Sequence, residues 1–287
     1  MTDLDFSLGL VMATLVVVVA YAGRVSRSGP AHHARVERAG GSPLLGKGAM
    51  EMGYWAMRPL ARACIAAGLT ANAVSWLSLG LAALAGVALA AGAFGVGAVL
   101  SLASSACDAL DGMIARETGT AGDAGEVLDA AIDRYAELFF FGGLAFHERF
   151  DGSALLLTLA ATAGAIMVSY STAKAEALGV PAPRGSMRRQ ERAVYLGVGV
   201  ALVPIVAAVA AASRGSASGV GLPDWVSRWP LFAVLALVAV VGNASAIRRF
   251  RVIAEAVRRP APLRPDASTS ASRLARESHA AAGDAVR

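Results

Sequence analysis

Four aspartates with helical spacing lie in sequence that is otherwise typical of membrane helices. Asp108 and Asp111 are three residues apart, and Asp129 and Asp133 are four residues apart. Residues three or four apart lie on one face of a helix, so each pair is predicted to point in one direction. A charged side chain at the centre of a membrane helix costs about 2.5 to 3.5 kcal/mol on insertion scales. The four carboxylates therefore need a compensating partner, and a hard divalent cation is the natural one.

An alternative interpretation places these carboxylates in a polar, exposed loop. Apolar residues recur between them at helical spacing, which argues against a loop: Leu110, Met113, Ile114, Val127, Leu128 and Ile132. We therefore expect two helices joined by a short hairpin, residues 117–122, that turns the two pairs toward each other. A fifth aspartate, Asp123, falls outside the spacing and is predicted to begin the second helix.

The whole stretch follows the pattern D-x2-D-G-x2-A-R-x8-G-x3-D-x3-D. Its eight fixed positions are filled by Asp108, Asp111, Gly112, Ala115, Arg116, Gly125, Asp129 and Asp133. The pattern resembles the signature of the CDP-alcohol phosphatidyltransferase family, with no position missing. Eight fixed residues within 26 positions form a far stronger signal than a lone glycine motif.

Composition indicates an integral membrane protein. The chain has 287 residues, of which 56% are hydrophobic and 16% charged, and its mean hydropathy is +0.55, which excludes an ordinary soluble domain. The net charge of +5 favours lipid headgroups and phosphates as partners over nucleic acid, because the sequence has no nucleic-acid motif. Cys64 and Cys107 lack metal-ligand spacing and are predicted to be small buried residues without a disulfide.

We predict an all-α membrane protein: a six-helix core bundle, an extra N-terminal transmembrane helix and an interfacial amphipathic helix. The N-terminal span covers residues 6–22, and the core spans cover residues 73–94, 96–116, 123–147, 153–177, 193–212 and 230–246. Thr70 is the predicted N-cap of the first core span. The interfacial helix covers residues 44–65, where Tyr54 and Trp55 favour headgroup depth over a soluble amphipathic connector, the alternative.

Four regions follow from these spans. They are an N-terminal anchor (1–25), a cytoplasmic linker with the interfacial helix (26–68), the six-helix catalytic domain (69–251) and a disordered cytoplasmic tail (252–287). Threading seven spans from outside puts most lysines and arginines on one side, which the positive-inside rule makes cytoplasmic. The aspartates lie on that side. The Ala-rich and Gly-rich composition favours a bacterial origin, and hence the bacterial inner (cell) membrane.

The family resemblance implies a reaction. It implies transfer of a phosphatidyl group from CDP-diacylglycerol to an alcohol, with release of CMP, in phospholipid biosynthesis. It assigns two Mg2+ ions, with Mn2+ as the alternative, to Asp108, Asp111 and Asp129. It makes Asp133 the base that activates the acceptor and a contact of the second metal. Residue types alone do not separate ligand from base. The resemblance also implies a homodimer through core helices.

The same resemblance assigns the CDP-lipid site to four residues of the motif: Gly112, Ala115, Arg116 and Gly125. Gly112 and Ala115 are small where the cytidine and its phosphates approach, and Gly125 is expected to relieve crowding where its helix begins. Packing alone is the alternative explanation for the small residues. For Arg116 the alternative is a side chain that extends to lipid headgroups.

A basic connection, residues 174–192, precedes the fifth core span and forms with Ser169 a basic rim beside the aspartates. The candidate acceptor-binding residues of this rim are Ser169, Lys174, Arg188 and Arg192, and a guanidinium fork matches a phosphate. The region resembles the phosphoinositol-binding part of bacterial phosphatidylinositol-phosphate synthases, which favours inositol phosphate as acceptor. Glycerol 3-phosphate, serine or another alcohol remains an alternative. Positive charge that serves only membrane orientation is another.

A non-enzymatic divalent-cation carrier is the rival from a different functional class. The aspartates would then be a transit site for the cation. Against it, the predicted third core span carries its aspartates at one end, and no acidic relay continues through the membrane.

Overall fold

The computed structural model describes residues 1–31, 36, 46–183, 185–214 and 224–258. The regular elements whose bounds fall in these residues are all helical. They are α1 (Asp3–Ser28), α2 (Gly46–Ala66), α3 (Ala71–Ala90), α4 (Phe94–Glu117), α5 (Asp123–His147), α6 (Gly152–Ala177), α7 (Arg189–Arg214), a 3-10 helix (Asp224–Arg228) and α8 (Trp229–Arg258).

Six of the described helices are long and apolar enough to cross a membrane: α1, α3, α4, α6, α7 and α8. The chain is a multi-pass membrane protein. Helix α5 has 25 residues and is long enough as well, but its first half carries the acidic residues of the motif. It packs against α3 along the bundle. The predicted all-α class with a helical core is confirmed.

Local signals explain several helix ends. The hydroxyl of Thr70 accepts a hydrogen bond of 3.2 Å from the Ala73 backbone N–H, so the predicted N-cap of α3 is present. Asp151 caps α6 in the same way. Hydrogen bonds from the Ser153 hydroxyl and the Ala154 backbone N–H hold the pKa of the Asp151 carboxyl below its usual value.

Two contacts join the helices at the end of the bundle away from the aspartates. The Asp3 carboxylate accepts a hydrogen bond of 3.0 Å from the Val96 backbone N–H, which joins the start of α1 to the start of α4. Arg228 forms an ion pair with Glu148, which joins the 3-10 helix to the end of α5. This end corresponds to the predicted outer connections, and the four aspartates lie toward the other end.

Small residues let the core helices approach closely. A Cβ atom added at Gly143 of α5 would overlap the backbone carbonyl of Gly86 on α3. Gly164 of α6 also lies close to α8, because a Cβ built on Gly164 would lie 3.0 Å from the Asn243 backbone nitrogen and 3.3 Å from the Gly242 carbonyl carbon. Close backbone contact through small residues is a common packing mode for helices in lipid.

Helix α2 packs beside the end of α4 that carries the aspartates. Ala61 is buried against Leu110, Met113 and Ile114 of α4. The predicted interfacial segment is thus helical from Gly46 onward, and its first two residues lie outside the described part of the chain. Its depth in a membrane stays a prediction.

Several helices have other bounds than the predicted spans. Helix α1 covers Asp3–Ser28 rather than residues 6–22, and α3 ends at Ala90 rather than near residue 94. Helix α7 begins at Arg189 rather than at residue 193, so part of the basic connection is helical. Helix α8 continues to Arg258 rather than ending near residue 246. Residues 252–258 were assigned to a disordered tail, yet they continue α8 because Ile253 is buried against the bundle. The remainder of that predicted tail lies outside the described residues.

Candidate active site

Three aspartates from two helices meet at one point. Asp108 and Asp111 come from α4 and Asp129 from α5, and one carboxylate oxygen of each lies within 4.8 Å of the others. Asp111 is buried, and its Oδ2 atom accepts a hydrogen bond of 2.5 Å from the Ser75 hydroxyl of α3. The short turn between α4 and α5 brings the two halves of the motif together.

This cluster fits a divalent cation. The Oδ1 atom of Asp108 is buried and has no hydrogen-bond partner among the described residues. Buried carboxylates this close repel one another unless a positive charge compensates them. Carboxylate oxygens are the ligands that Mg2+ and similar hard cations prefer. The donor set therefore matches the metal chemistry expected from the sequence.

Asp133 lies beside this cluster and faces an arginine. The Nη1 atom of Arg189 donates a hydrogen bond of 2.5 Å to Oδ2 of Asp108 and lies 2.6 Å from Oδ1 of Asp133. Arg189 is the first residue of α7; the sequence analysis placed it in the basic connection beside the site but did not choose it as a candidate site residue. The one signal in the sequence that pointed to an arginine here was the need of the buried carboxylates for a nearby positive charge.

The CDP-lipid candidates lie around the end of α4. The Arg116 guanidinium passes over Gly112, where an added Cβ would lie 3.1 Å from Arg116 Nη1. Ala115 is half-buried and Gly125 is exposed. A Cβ at Gly125 would meet no atom within 4 Å among the described residues. The described residues therefore show no crowding at Gly125 of the kind that the sequence analysis expects.

A cavity of about 260 Å3 opens next to the aspartates; we call it the arginine pocket. Its lining comes from α5, α6, the start of α7 and α8: Ala130, Arg134, Val168, Ser169, Thr172, Ala173, Glu176, Arg188, Arg189 and Arg249. Four arginines against one glutamate favour an anionic ligand. The volume is below the usual range for drug-sized ligands, so the cavity suits a small ligand.

The predicted acceptor residues fall into two groups. Ser169 and Arg188 line the arginine pocket. Lys174 is exposed and is not among its lining residues. Arg192 is 1% exposed and also lies outside the lining. Its donors go to Glu137, to the Met187 carbonyl at 2.5 Å and to the Ser169 hydroxyl at 3.3 Å.

Several lining residues were not predicted from sequence: Arg134, Thr172, Arg189 and Arg249. Arg249 is 4% exposed and donates a hydrogen bond of 3.2 Å to the Thr172 hydroxyl. In the sequence it is one of three arginines that follow the predicted span 230–246. Only helix packing distinguishes it from Arg248 and Arg251, because all three have the same local pattern.

Comparisons with known proteins agree with this geometry. A family model described as CDP-alcohol phosphatidyltransferase matches residues 68–241. A phosphatidylinositol phosphate synthase of Mycolicibacterium smegmatis is 29% identical over 212 residues, covering 72% of this chain and 88% of that protein. The crystal structure of Mycobacterium tuberculosis phosphatidylinositol phosphate synthase with CDP-DAG bound has a TM-score of 0.58 at 25% identity. That similarity covers 72% of this chain and 98% of the other.

A second structure of the M. tuberculosis enzyme is in complex with manganese and citrate. It has a TM-score of 0.58 at 26% identity and covers 71% of this chain and 93% of that one. Manganese is one of the hard divalent cations that take oxygen ligands. The three clustered aspartates offer this chain the same kind of ligand.

Proposed function

The chain belongs to the CDP-alcohol phosphatidyltransferase family, and from this membership we propose that it transfers the phosphatidyl group of CDP-diacylglycerol to inositol phosphate, releasing CMP. The observation that carries this choice of acceptor is the arginine pocket. Four arginines surround a small cavity, and one of them, Arg189, also contacts Asp108. A phosphate bound there would place the hydroxyls of its polyol beside the aspartates.

Each charged group has a role in the proposed reaction. Asp133 accepts the proton of the acceptor hydroxyl while that oxygen bonds to the β-phosphorus, which carries the diacylglycerol. The bond from this phosphorus to the oxygen of the CMP phosphate breaks, and CMP leaves with the electron pair. Asp108, Asp111 and Asp129 would hold the divalent cation, and its charge would neutralise the pyrophosphate and the departing CMP.

The remaining residues bind and orient the two substrates. Arg116 lies in the last turn of α4, from where its guanidinium would bind the donor phosphates. Gly112 and Ala115 leave room on that helix for close approach of the nucleotide. Arg134, Arg188 and Arg249 neutralise the acceptor phosphate, and a guanidinium fork can bind two of its oxygens at once.

The setting of the site is also part of the proposal. Two Mg2+ ions serve the reaction, with Mn2+ able to replace them, at the cytoplasmic face of a bacterial cell membrane. The side follows from the excess of lysine and arginine on the connections at the aspartate end. The proposed division of the chain is an N-terminal anchor (1–25), a linker (26–68), a catalytic domain (69–251) and a tail. The one change is that α8 extends from the catalytic domain into the first residues assigned to the tail. The active form is a homodimer.

An acceptor panel tests the proposed function. Purified protein in detergent is given CDP-diacylglycerol and Mg2+ with inositol 1-phosphate, glycerol 3-phosphate, serine or free inositol, and CMP is measured. We expect release with inositol 1-phosphate alone, and free inositol is the matched control because it lacks only the phosphate. Release with serine or free inositol would contradict a phosphate-binding pocket. No CMP release with any of the four acceptors, together with Mg2+ flux into liposomes, would favour the divalent-cation carrier.

A further inference from the structure

Met187, directly before Arg188 and Arg189, adopts a backbone conformation that is rare for its residue type. Its φ is +62°, and it is the one non-glycine residue with positive φ in the described part of the chain. Its side chain is fully buried. Such strain persists only where the surroundings fix it, and it concentrates at functional sites. We call residues 185–188 the Met187 turn.

Two buried charges of α7 hold the Met187 turn. The Oε2 atom of Glu191 accepts hydrogen bonds from the backbone N–H of Met187 at 2.6 Å and of Arg188 at 3.2 Å. The Nη1 atom of Arg192 donates to the Met187 carbonyl at 2.5 Å. Glu191 is 0% and Arg192 1% exposed. Both polar groups of Met187 are therefore bound by charged side chains, which offsets the cost of its conformation.

Glu137 connects this turn to the opposite wall of the arginine pocket. Its Oε1 atom accepts hydrogen bonds from Arg192, at 3.0 Å from Nε and also from Nη2. Its Oε2 atom accepts from Nη1 of Arg134 at 3.1 Å. Glu137 lies four residues after Asp133 on the same face of α5, beyond the end of the aspartate motif. The motif therefore does not account for it.

We propose that Glu137, Arg192 and Glu191 form a positioning network that gives the arginine pocket its shape and hence its specificity for a phosphorylated acceptor. The network fixes the Met187 turn so that Arg188 and Arg189 both reach the pocket, and it orients Arg134 from the other wall. Arg192 acts through these arginines instead of contacting the acceptor as the sequence predicts. The inference rests on the proposed function, which supplies the phosphate-bearing acceptor.

A purely stabilising role predicts a different outcome. Breaking a buried ion pair leaves an uncompensated charge and destabilises a protein as a whole. A positioning role instead affects the binding of the acceptor phosphate and leaves donor and metal binding unchanged. A displacement of about 1 Å in an active site can cost about a hundredfold in rate. A change in KM for the acceptor without a change in KM for the donor therefore distinguishes the positioning role from the stabilising one.

The test compares Glu137→Gln with Glu148→Gln. Glu148 is the control because it too is largely shielded from solvent, at 2% exposure against 12% for the Glu137 side chain, and is paired with an arginine, Arg228, just past the other end of α5. For each variant we would measure KM for inositol 1-phosphate, KM for CDP-diacylglycerol, the Mg2+ requirement and the melting temperature. Calorimetry with inorganic phosphate in the absence of donor gives a reading that is independent of turnover.

We expect Glu137→Gln to raise KM for inositol 1-phosphate and Kd for inorganic phosphate by about 10- to 100-fold, with KM for CDP-diacylglycerol within about twofold of wild type. Glu137→Asp should recover part of the loss, and Glu148→Gln should leave the acceptor constants unchanged. If Glu137→Gln does not accumulate, Arg192→Lys tests the same network, because lysine keeps the charge and loses the forked contact.

Three results would overturn the inference. One is an unchanged KM for inositol 1-phosphate in Glu137→Gln. Another is an equal rise in KM for inositol 1-phosphate and for CDP-diacylglycerol in that variant, with a lower melting temperature. The third is a wild-type protein that binds no phosphate. Failure of the proposed function looks different. The wild-type protein then binds phosphate and Glu137→Gln weakens that binding, but CMP is released with none of the acceptors.

Discussion

Arg189 donates a hydrogen bond of 2.5 Å to Asp108 across 81 positions of the chain. The same Nη1 atom lies 2.6 Å from Asp133, and the side chain also lines the arginine pocket. One guanidinium thus contacts both aspartate helices and the cavity proposed for the acceptor. The carboxylates that would bind metal and the pocket that would bind phosphate are therefore parts of one site.

Replacing Arg189 should impair acceptor use strongly. Charge-assisted hydrogen bonds contribute about 1.5 to 3 kcal/mol, so Arg189→Gln should lower kcat/KM for inositol 1-phosphate by roughly 10- to 100-fold. Arg189→Lys should retain part of the activity because it keeps the charge. Steady-state CMP release with varied inositol 1-phosphate measures the effect, and wild-type kcat/KM in Arg189→Gln would contradict it.

Asp133→Asn should abolish turnover and leave metal binding in place. The amide cannot accept the acceptor proton as a base, whereas Asp108, Asp111 and Asp129 still offer their carboxylates. Single-turnover CMP release and Mn2+ binding followed by electron paramagnetic resonance check both parts. Full activity in this variant would remove Asp133 from its role as base.

Ser75→Ala should weaken metal binding. The Ser75 hydroxyl donates to Asp111 at 2.5 Å, and loss of a hydrogen bond that orients a metal ligand typically costs 10- to 100-fold in affinity. Mn2+ titration of the purified protein and the Mg2+ dependence of CMP release would both shift. Ser75→Thr should restore the affinity because it keeps the hydroxyl.

Ser78 provides the matched control for Ser75. It lies one turn further along α3, is also buried, and donates to the Ser104 carbonyl at 2.9 Å instead of to a carboxylate. Ser78→Ala should lower thermal stability without changing the metal titration. Equal metal affinities in the two alanine variants would show that Ser75 does not act through Asp111.

Arg249 and Lys174 should differ although both are basic residues near the pocket. Arg249 is buried in the lining, so Arg249→Gln should raise KM for inositol 1-phosphate by about tenfold or more. Lys174 is exposed and outside the lining, so Lys174→Gln should change KM by less than about twofold. The same acceptor titration measures both variants. A larger effect at Lys174 would restore the sequence-based assignment.

Gly143→Ala should destabilise the bundle, because its methyl group would overlap the Gly86 carbonyl and push α5 away from α3. Overpacking of this kind costs about 1 to 3 kcal/mol. Gly142→Ala is the control, since its Cβ would meet no atom of the described residues within 4 Å. Thermal unfolding in detergent should show a lower midpoint for Gly143→Ala only. Equal midpoints would contradict the close approach of these helices.

The sequence determined those features that depend on local pattern. The spacing of Asp108, Asp111, Asp129 and Asp133 predicted two helices with facing carboxylates, since a helical period places residues three or four apart on one face. The N-cap at Thr70 and the bounds of α5 followed from equally local signals. Membrane spans were predictable because hydrocarbon thickness fixes the length of an apolar run.

Only the tertiary structure decided which basic residues face the site. An arginine beside a membrane helix has the same local pattern whether it reaches headgroups or lines a cavity, so charge alone did not separate Arg249 from Lys174. The position of Arg189 depends on how α7 packs against α4 and α5. Glu137 was missed because its partner Arg192 lies 55 positions away. Contacts between distant helices depend on how those helices rotate and pack, which periodicity within one helix does not specify.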